Sequence, residues 1–342
     1  MTTQPAIHPL TWHVGLVGYG EVGRILAEDL RAQGVTVSAY DLKLGHAETA
    51  APLHDHAQRH GVNLAANHAE LAARADLIVS AVTASQTEAV AQACAAGLPA
   101  RRASPLGAAD SDVGVAAGGS PFFLDFNSAS PGAKQRAAAL VDEAGGRYVE
   151  GAVMTSIPPY RIKVPLLLGG THAAELAPLL DQLGFAAKVA SDKLGVASAT
   201  KMCRSVMIKG LEAMVIESFT AARHYGVEDA VVASLYETFP GVDWEKQAAY
   251  FFQRAIEHGR RRSEEVREVA ATVHDAGLVP HSATGTAERQ AWMADLADTG
   301  VFGLKGTPEF ARSADWRTEA DRILGFVIGD NNVDMNSDEK DS

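Results

Sequence analysis

Short apolar runs alternate with amphipathic stretches over residues 13–191. Runs of four to eight residues that are rich in β-branched and aromatic side chains predict buried strands. These runs are His13–Val17, Val35–Tyr40, Ala75–Val82, Pro121–Asp125, Tyr148–Val153 and Val164–Gly170. The stretches between them repeat apolar residues at helical spacing, as Ile25, Leu26 and Leu30 do. Strands that alternate with helices predict an α/β fold with a doubly wound, mostly parallel sheet.

From Asp192 onward the pattern becomes helical. Residues 193–225 contain no proline and predict one helix about 50 Å long, which we expect to bury part of its surface in a homodimer. Helical spacing continues to about Asp330, and the residues after it are polar and acidic. We therefore predict a first domain over 1–191, an all-helical C-terminal domain over 192–330 and a disordered acidic tail over 331–342. Residues 100–120, rich in Arg, Ala, Gly and Ser, are predicted to be a flexible insertion.

Composition narrows the class of protein. The length of 342 residues fits two domains. The net charge of −12 argues against nucleic acid or an anionic membrane surface as a partner. No run approaches the roughly 20 apolar residues that span a bilayer, and residues 1–13 lack the features of a signal peptide. Two cysteines cannot build a disulfide framework, so we expect a cytoplasmic protein.

A glycine-rich turn follows the first predicted strand. Its residues are Gly18, Tyr19, Gly20, Glu21, Val22 and Gly23. In the pattern G-x-G-x-x-G, the first glycine permits a tight turn, the second lets the backbone approach a pyrophosphate, and the third lets helix and strand pack closely. The next helix directs its free N–H groups at the phosphates. Because the strand–helix–strand context is complete, we predict a Rossmann dinucleotide-binding domain whose cofactor contacts these six residues. The alternative is a glycine-rich turn in another α/β unit.

An acidic residue, Asp41, ends the second predicted strand, as the dinucleotide pattern requires. Such a carboxylate accepts a hydrogen bond from the ribose 2′-hydroxyl and repels a 2′-phosphate, which favours NAD over NADP. Lys43 either softens that preference or only pairs with Asp41, so NADP stays possible. Val82 and Thr83, at the end of the strand predicted over 75–82, are expected to contact the same cofactor.

A lysine on the long helix is the second candidate for chemistry. Lys201 and Ser205 lie four residues apart and so share one helix face. Oxidising an alcohol moves a hydride to a nicotinamide and a proton to a base, and an ammonium returns that proton in the reverse reaction. A lysine desolvated near a positively charged nicotinamide should have a lowered pKa and serve both roles. The alternative is an ordinary surface lysine, since Lys193 and Lys209 lie in the same stretch.

Four segments in this order resemble the β-hydroxyacid dehydrogenases, a family that includes 3-hydroxyisobutyrate dehydrogenase and 6-phosphogluconate dehydrogenase. The first segment is the glycine turn. The second is Asp125-Phe126-Asn127-Ser128-Ala129-Ser130-Pro131, similar to D-x-S-T-x-x-P, and the third is Glu150-Gly151-Ala152-Val153-Met154-Thr155-Ser156, at the place of D-A-P-V-S-G-G. The fourth is Gly195-Val196-Ala197-Ser198-Ala199-Thr200-Lys201 with Ser205, spaced like G-x-G-x-x-x-K-x-x-x-N. The resemblance covers residues 13 to about 280, and residues 258–268 resemble a poorly characterised branch of the superfamily.

The resemblance implies roles for the matching residues. It makes Lys201 the general acid and base of an NAD(P)-dependent dehydrogenase. Asn127 and Ser128 are expected to position the cofactor ring and the reacting group. The backbone of Thr155 and Ser156 is expected to orient a small-molecule substrate, in a cleft between the carboxyl edge of the sheet and the long helix.

Two positions in the predicted substrate site depart from the family pattern. Met154 replaces a serine and makes the pocket more apolar, and Ser205 replaces an asparagine. We therefore expect a hydroxyl–carbonyl substrate that is larger or less polar than the family's usual small acids. The departures also permit a sensor or assembly protein that binds NAD without turning it over. An imine reductase on the same fold is another alternative, although related reductases usually lack the lysine.

Two further clusters have both a functional and a structural interpretation. His54, Asp55, His56 and His60 suggest a metal site, but they follow the second strand in a polar stretch, so a solvated connection is the stronger interpretation and no metal is predicted. Arg260, Arg261 and Arg262 either receive a substrate carboxylate or phosphate, or form a solvated helix end that pairs with Glu264 and Glu265.

Overall fold

The computed structural model describes residues 9–99, 120–308, 310–311 and 313–338. The chain divides into two compact units, Met1–Met202 and Cys203–Ser342. This division lies inside a long helix, whereas the domain boundary predicted near residue 192 precedes that helix. Apart from Ser120, the predicted insertion over 100–120 lies outside the described residues.

An eight-stranded sheet forms the centre of the first unit. Its strands are β1 (His13–Val17), β2 (Thr36–Tyr40), β3 (Asn63–Leu64), β4 (Leu77–Ser80), β5 (Phe122–Asp125), β6 (Arg147–Val153), β7 (Leu166–Gly169) and β8 (Ala187–Ser191). They lie in the order β3-β2-β1-β4-β5-β6-β7-β8. All neighbours pair in parallel except β6 and β7, which are antiparallel. The predicted doubly wound, mostly parallel sheet is confirmed.

The strand order reverses direction at β1. This strand pairs with β2 on one side and β4 on the other, so that Val14 lies opposite both Val37 and Leu77. Ligands of open α/β sheets bind outside the carboxyl ends of the strands at such a point. The glycine turn, Asp41 and Thr83 follow the carboxyl ends of β1, β2 and β4. The fold therefore brings the predicted cofactor residues to one edge of the sheet.

Six helices described in the first unit pack against this sheet. They are α1 (Glu21–Ala32), α2 (Ala47–His60), α3 (His68–Arg74), α4 (Thr87–Ala95), α5 (Pro131–Glu143) and α6 (Ala173–Gln182). Two clusters of buried apolar residues hold the layers together. Leu26 and Leu30 of α1 belong to one cluster, and Val141 of α5 joins Phe123 of β5 in the other.

The long helix α7 (Val196–Tyr225) begins in the first unit and continues into the second. It starts at Val196 rather than at the predicted Lys193. The reason is Gly195, whose φ of +95° lies in the left-handed region and cannot continue an α-helix. A Cβ at Gly195 would lie 3.3 Å from the Gln135 Nε2, closer than most such contacts.

The described part of the second unit is helical, as predicted. After α7 come α8 (Glu228–Thr238), α9 (Trp244–Asp275), α10 (His281–Asp298) and α11 (Trp316–Asp338). Buried aromatic residues form its core, and the rings of Phe219 and Trp316 lie 4.8 Å apart. Helix α11 runs into the predicted tail over 331–342, of which residues 339–342 lie outside the described part. Among the described helices, none has the length and apolar character needed to cross a membrane.

Candidate active site

The backbone conformation of the glycine turn requires glycine at Gly18 and Gly23. Gly18 has a φ of +90°, and its N–H donates to the carbonyl oxygen of Tyr40 at 2.9 Å. A Cβ on Gly18 would overlap the carbonyl group of Ala81 after β4, and a Cβ on Gly23 would overlap the carbonyl oxygen of Gly18. Both glycines are therefore needed to close the turn against the sheet and against α1.

The remaining glycine of the turn faces open space. A Cβ on Gly20 would meet no atom within 4 Å, and Gly20 immediately precedes α1, which begins with Glu21 and Val22. The first N–H groups of a helix have no partner within the helix and attract anions. A pyrophosphate can therefore approach the backbone at Gly20 without meeting a side chain, so the residues present fit a dinucleotide.

A matched pair of substitutions separates these two uses of glycine. We expect Gly23→Ala to lower the melting temperature, because overpacking costs about 1–3 kcal/mol. Gly20→Ala should leave the melting temperature unchanged but weaken NADH binding by about tenfold or more, because the methyl group occupies the approach to the helix N-terminus. Thermal unfolding and NADH fluorescence titration measure the two effects. Unchanged NADH affinity in Gly20→Ala would contradict the assignment of the turn.

Asp41 is held in place at the carboxyl end of β2. Its Oδ2 accepts from the backbone N–H of Tyr19 at 2.8 Å, and its Oδ1 accepts from the backbone N–H of Lys43 at 2.9 Å. Each carboxylate oxygen can accept a further hydrogen bond. Asp41 is thus tied to the glycine turn and retains acceptor capacity for ribose hydroxyls.

The strand predicted over 75–82 ends at Ser80, so Val82 and Thr83 lie in the loop after β4, which Asn127 supports. The Asn127 Oδ1 accepts from the N–H of Val82 at 2.8 Å, and its Nδ2 donates to Ser80 at 3.0 Å. Asn127 is buried, whereas Thr83 is exposed. The polar atoms of Asn127 therefore hold the loop after β4, and its predicted contact with the cofactor ring stays a prediction.

Lys201 lies within hydrogen-bond distance of Ser128. Its Nζ donates to the Ser128 Oγ at 2.6 Å, which joins the second turn of α7 to the loop after β5. The loop follows Asp125, the buried last residue of β5, whose Oδ1 pairs with Lys134 at 2.9 Å and whose Oδ2 accepts from Tyr148 at 2.6 Å. The loop is therefore anchored at its base, and the two residues predicted to act on the substrate are side by side.

The start of α7 is held by Glu150, a residue for which the sequence analysis predicted no role. Glu150 projects from β6, is fully buried, and accepts from the N–H groups of Gly195 at 2.6 Å and of Ser198. A carboxylate at a helix N-terminus satisfies free N–H groups and interacts favourably with the helix dipole. Gly169 on β7 leaves room for this side chain, since a Cβ there would crowd Glu150. Glu150 therefore fixes the helix segment that carries Lys201.

The predicted substrate residues follow the carboxyl end of β6. Thr155 and Ser156 are exposed, and Met154 is half-buried with its N–H donating to Pro165 at 3.0 Å. Because β6 is parallel to β5, these residues lie at the same sheet edge as Ser128. Ser205 belongs to the second unit and stays a predicted substrate residue.

The histidine cluster in α2 corrects the prediction of a solvated connection. His56 is buried, and both of its ring nitrogens have partners: Nδ1 contacts the Tyr19 hydroxyl at 2.8 Å and Nε2 contacts Glu28 at 3.0 Å. His60 stacks on His56 with ring centroids 4.5 Å apart. Donor atoms of Glu28, His56 and His60 lie within 4.8 Å of one another, a spacing that could hold a metal ion. In this structure hydrogen bonds already engage both ring nitrogens of His56.

The arginine triplet in α9 is paired within the second unit. Arg260 binds both Asp295 and Asp298 at 2.7 Å, and Arg261 binds Glu265 at 2.6 Å. Arg262 is buried and pairs with Glu212 of α7. Arg260 therefore joins α9 to α10 and Arg262 joins α9 to α7, whereas Arg261 makes the predicted pairing with Glu265 of its own helix. The triplet lies in the middle of α9, so the predicted solvated helix end is wrong for Arg260 and Arg262.

Two family models match parts of the chain. Residues 13–102 match the family described as NADP oxidoreductase coenzyme F420-dependent, and residues 222–293 match a domain of unknown function, DUF1932. The first match includes the whole glycine turn, Asp41 and the loop after β4. It agrees with the geometry of the turn and supports NAD(P) as the cofactor.

Solved structures share the fold along most of the chain. A conserved hypothetical protein from Sinorhizobium meliloti 1021 is 32% identical, with 93% of this chain and 98% of that chain covered and a TM-score of 0.66. A conserved protein of unknown function, described as structurally similar to 3-hydroxyacid dehydrogenases, is 26% identical, with 84% and 98% covered and a TM-score of 0.61. The 3-hydroxyisobutyrate dehydrogenase of Mycobacterium tuberculosis, at 17% identity, covers 92% and 99% with a TM-score of 0.58. With its glycine turn, its sheet order and these relatives, the chain belongs to the β-hydroxyacid dehydrogenase-like superfamily.

Proposed function

We propose that the protein is an NAD(P)-dependent dehydrogenase that interconverts a hydroxyl group and a carbonyl group, with Lys201 as the general acid and base. The observation that carries the proposal is the 2.6 Å contact between the Lys201 Nζ and the Ser128 Oγ. A proton donor and a hydroxyl that can both contact one substrate oxygen are the groups that this reaction needs.

The residues of the chain supply proton transfer and orientation. NAD(P), when bound, supplies the hydride acceptor or donor. In the oxidative direction, the Lys201 amine takes the hydroxyl proton as the carbon loses its hydride. In the reductive direction, the Lys201 ammonium gives a proton to the carbonyl oxygen. Ser128 orients that oxygen, and Glu150 keeps Lys201 in place through the start of α7.

The substrate that suits this site is a hydroxy acid or a related alcohol with an apolar portion. Thr155 and Ser156 are exposed after β6, and we assign their backbone N–H groups to a substrate carboxylate. Met154 supplies a flexible apolar side chain that adapts to larger groups. We therefore assign the preference to hydroxy acids with more apolar carbon than the smallest ones.

A parallel screen tests the proposal against its two rivals. The purified protein is given NAD or NADP with 3-hydroxyisobutyrate, L-serine and longer 3-hydroxy acids, and NADH or NADPH with cyclic imines, while nicotinamide absorbance is followed. We expect oxidation of at least one hydroxy acid. Turnover of imines alone would favour an imine reductase, and tight NADH binding without any turnover would favour a sensor or assembly protein.

Asp41 favours NAD over NADP in this proposal. A 2′-phosphate would lie against a fixed carboxylate, and like charges at short range are repulsive. We expect Asp41→Ser to strengthen NADPH binding about tenfold relative to NADH. Fluorescence titrations with both reduced cofactors measure this ratio. A wild-type protein that binds NADPH more tightly than NADH would contradict the role of Asp41.

We also propose that the second unit forms a homodimer through α7, in a cytoplasmic protein that binds neither nucleic acid nor membranes. Met207 is 70% exposed and Met214 is 60% exposed, and the two lie seven residues apart on one face of α7. Leu211 lies between them but is half-buried against the core of the second unit. Exposed apolar side chains on one helix face are typical of an interface. Cys94 and Cys203 are both free thiols, in agreement with a reducing compartment.

Substitution of a methionine on this face tests the dimer. We expect Met214→Glu to shift the molar mass measured by light scattering from dimer to monomer, because a charge in an apolar interface stays unpaired. Met214→Leu, which keeps the face apolar, is the matched control and should remain dimeric. A monomeric wild-type protein at micromolar concentration would rule out this surface.

A further inference from the structure

The side chain of Tyr19 anchors the first half of the glycine turn. Gly18 and Gly20 on either side have no side chains, so within this tripeptide only Tyr19 can make a side-chain contact. The Tyr19 ring is fully buried, and its hydroxyl lies 2.8 Å from the Nδ1 of His56 in α2. Its backbone N–H donates to Asp41 at 2.8 Å. Tyr19 therefore joins the turn to the ribose-binding carboxylate and to α2.

The direction of each hydrogen bond follows from the ionisation states. Hydrogen bonds from His56 and Arg161 hold the pKa of Glu28 below its usual value, so Glu28 is a carboxylate and can only accept. The His56 Nε2, 3.0 Å from Glu28, therefore carries the ring proton. Burial lowers the pKa of His56, so the ring is neutral near pH 7. Its Nδ1 is then an acceptor, and the Tyr19 hydroxyl donates to it.

Glu28, which contacts the His56 Nε2, is itself held by Arg161. The second carboxylate oxygen of Glu28 accepts from Arg161 at 2.7 Å, and Arg161 also donates to Asp29 at 2.8 Å. Arg161 has a φ of +54°, a backbone conformation that costs a non-glycine residue about 1–3 kcal/mol. Such a conformation persists where surrounding contacts hold it. His56 is thus oriented by α1 and by the segment before β7, rather than by α2 alone.

We infer that His56 is a positioning residue for the dinucleotide: by accepting the hydrogen bond of Tyr19, it holds the Gly18–Gly20 backbone in the conformation that receives the pyrophosphate. The inference rests on the proposed binding of NAD(P) at this turn. A metal ion shared by Glu28, His56 and His60 would have to replace the hydrogen bond between Glu28 and His56, so the hydrogen-bonded arrangement is the one that we assign.

Two amide substitutions at His56 separate its two hydrogen bonds. The asparagine amide can occupy the place of Nδ1 and accept from Tyr19, whereas the longer glutamine amide reaches the place of Nε2 and contacts Glu28. We measure the NADH dissociation constant by fluorescence for the wild type, Tyr19→Phe, His56→Asn and His56→Gln. His54→Gln is the matched control, since His54 is exposed on the same helix.

Loss of the Tyr19 contact should weaken NADH binding, and loss of the Glu28 contact should not. We expect Tyr19→Phe and His56→Gln to raise the dissociation constant about five- to tenfold, the equivalent of one hydrogen bond. His56→Asn should stay within about twofold of the wild type, and His54→Gln should be unchanged. Amide hydrogen exchange at residues 18–20 should become faster in Tyr19→Phe, which is a reading independent of cofactor.

Three outcomes overturn the inference. Equal NADH dissociation constants in all variants would show that the contact does not position the turn. Equal weakening in His56→Asn and His56→Gln, with equal losses of melting temperature, would show that His56 supports only the fold. A wild-type protein that binds neither NADH nor NADPH would contradict the proposed function itself, and with it the inference; the wild-type titration distinguishes this case from the first two.

Discussion

Replacing Lys201 by alanine should lower kcat by about 10²–10⁴-fold and leave the NADH dissociation constant nearly unchanged. General acid–base catalysis contributes a factor of this size. The Lys201 Nζ donates to Ser128 in the loop after β5, whereas we assign NADH binding to the glycine turn after β1. Steady-state kinetics on a hydroxy acid identified by the screen, with fluorescence titration of NADH, measure the two quantities separately.

Two control variants restrict the interpretation of this result. Lys201→Arg keeps the positive charge and can still donate to Ser128, but a guanidinium does not release its proton near neutral pH. We expect it to be as inactive as the alanine variant. Lys193→Ala removes an exposed lysine just before α7 and should behave as the wild type. An active Lys201→Arg variant would mean that Lys201 acts only by its charge.

Replacing Glu150 by leucine should destabilise the protein and reduce its activity together. The substitution keeps the volume but leaves the N–H groups of Gly195 and Ser198 without their acceptor inside the protein. Each unsatisfied buried donor costs about 1–3 kcal/mol, so the loss of the acceptor for both donors should lower the melting temperature by roughly 3–8 °C in a protein of this size. We also expect kcat to fall about tenfold or more, because Lys201 loses its fixed position.

Glutamine at the same position gives a graded comparison. Glu150→Gln keeps one carbonyl acceptor but presents an NH₂ group to the other N–H, so its melting temperature and kcat should lie between those of the wild type and of Glu150→Leu. Glu143→Gln, at the exposed end of α5, is the control for loss of one negative charge. If Glu150→Leu melts at the wild-type temperature, the cap does not hold the start of α7.

Features that depend on neighbours along the chain are predictable from the sequence. The glycine turn is recognisable because its glycines meet requirements set by adjacent residues of the chain, such as the φ of +90° at Gly18. Strands whose two faces are both covered have continuous apolar runs, and these are the strands that the sequence predicts. Strand β8 was missed because three of its five residues are exposed, and β3 because it contains only Asn63 and Leu64.

Features that depend on distant partners are not predictable in this way. Glu150 looks like a polar interruption of an apolar strand, and its acceptor role appears only when Gly195 and Ser198, 45 and 48 residues away, fold over it. In the sequence, His56 looks like part of a polar stretch. Its contact with Tyr19, 37 residues before it, is seen only in the folded chain. The signals available for Glu150 are its charge within a buried strand and its place at the acidic position of the segment that resembles the family pattern.

Transfer of a labelled hydride tests the central claim most directly. The reduced cofactor carries deuterium at the transferring position of the nicotinamide, and the carbonyl form of a hydroxy acid substrate is supplied to the wild type and to Lys201→Ala. We predict deuterium on the carbinol carbon of the wild-type product, and product formation slower by about 10²-fold or more in the variant. Unlabelled product, or equal rates in the two proteins, would contradict hydride transfer assisted by Lys201.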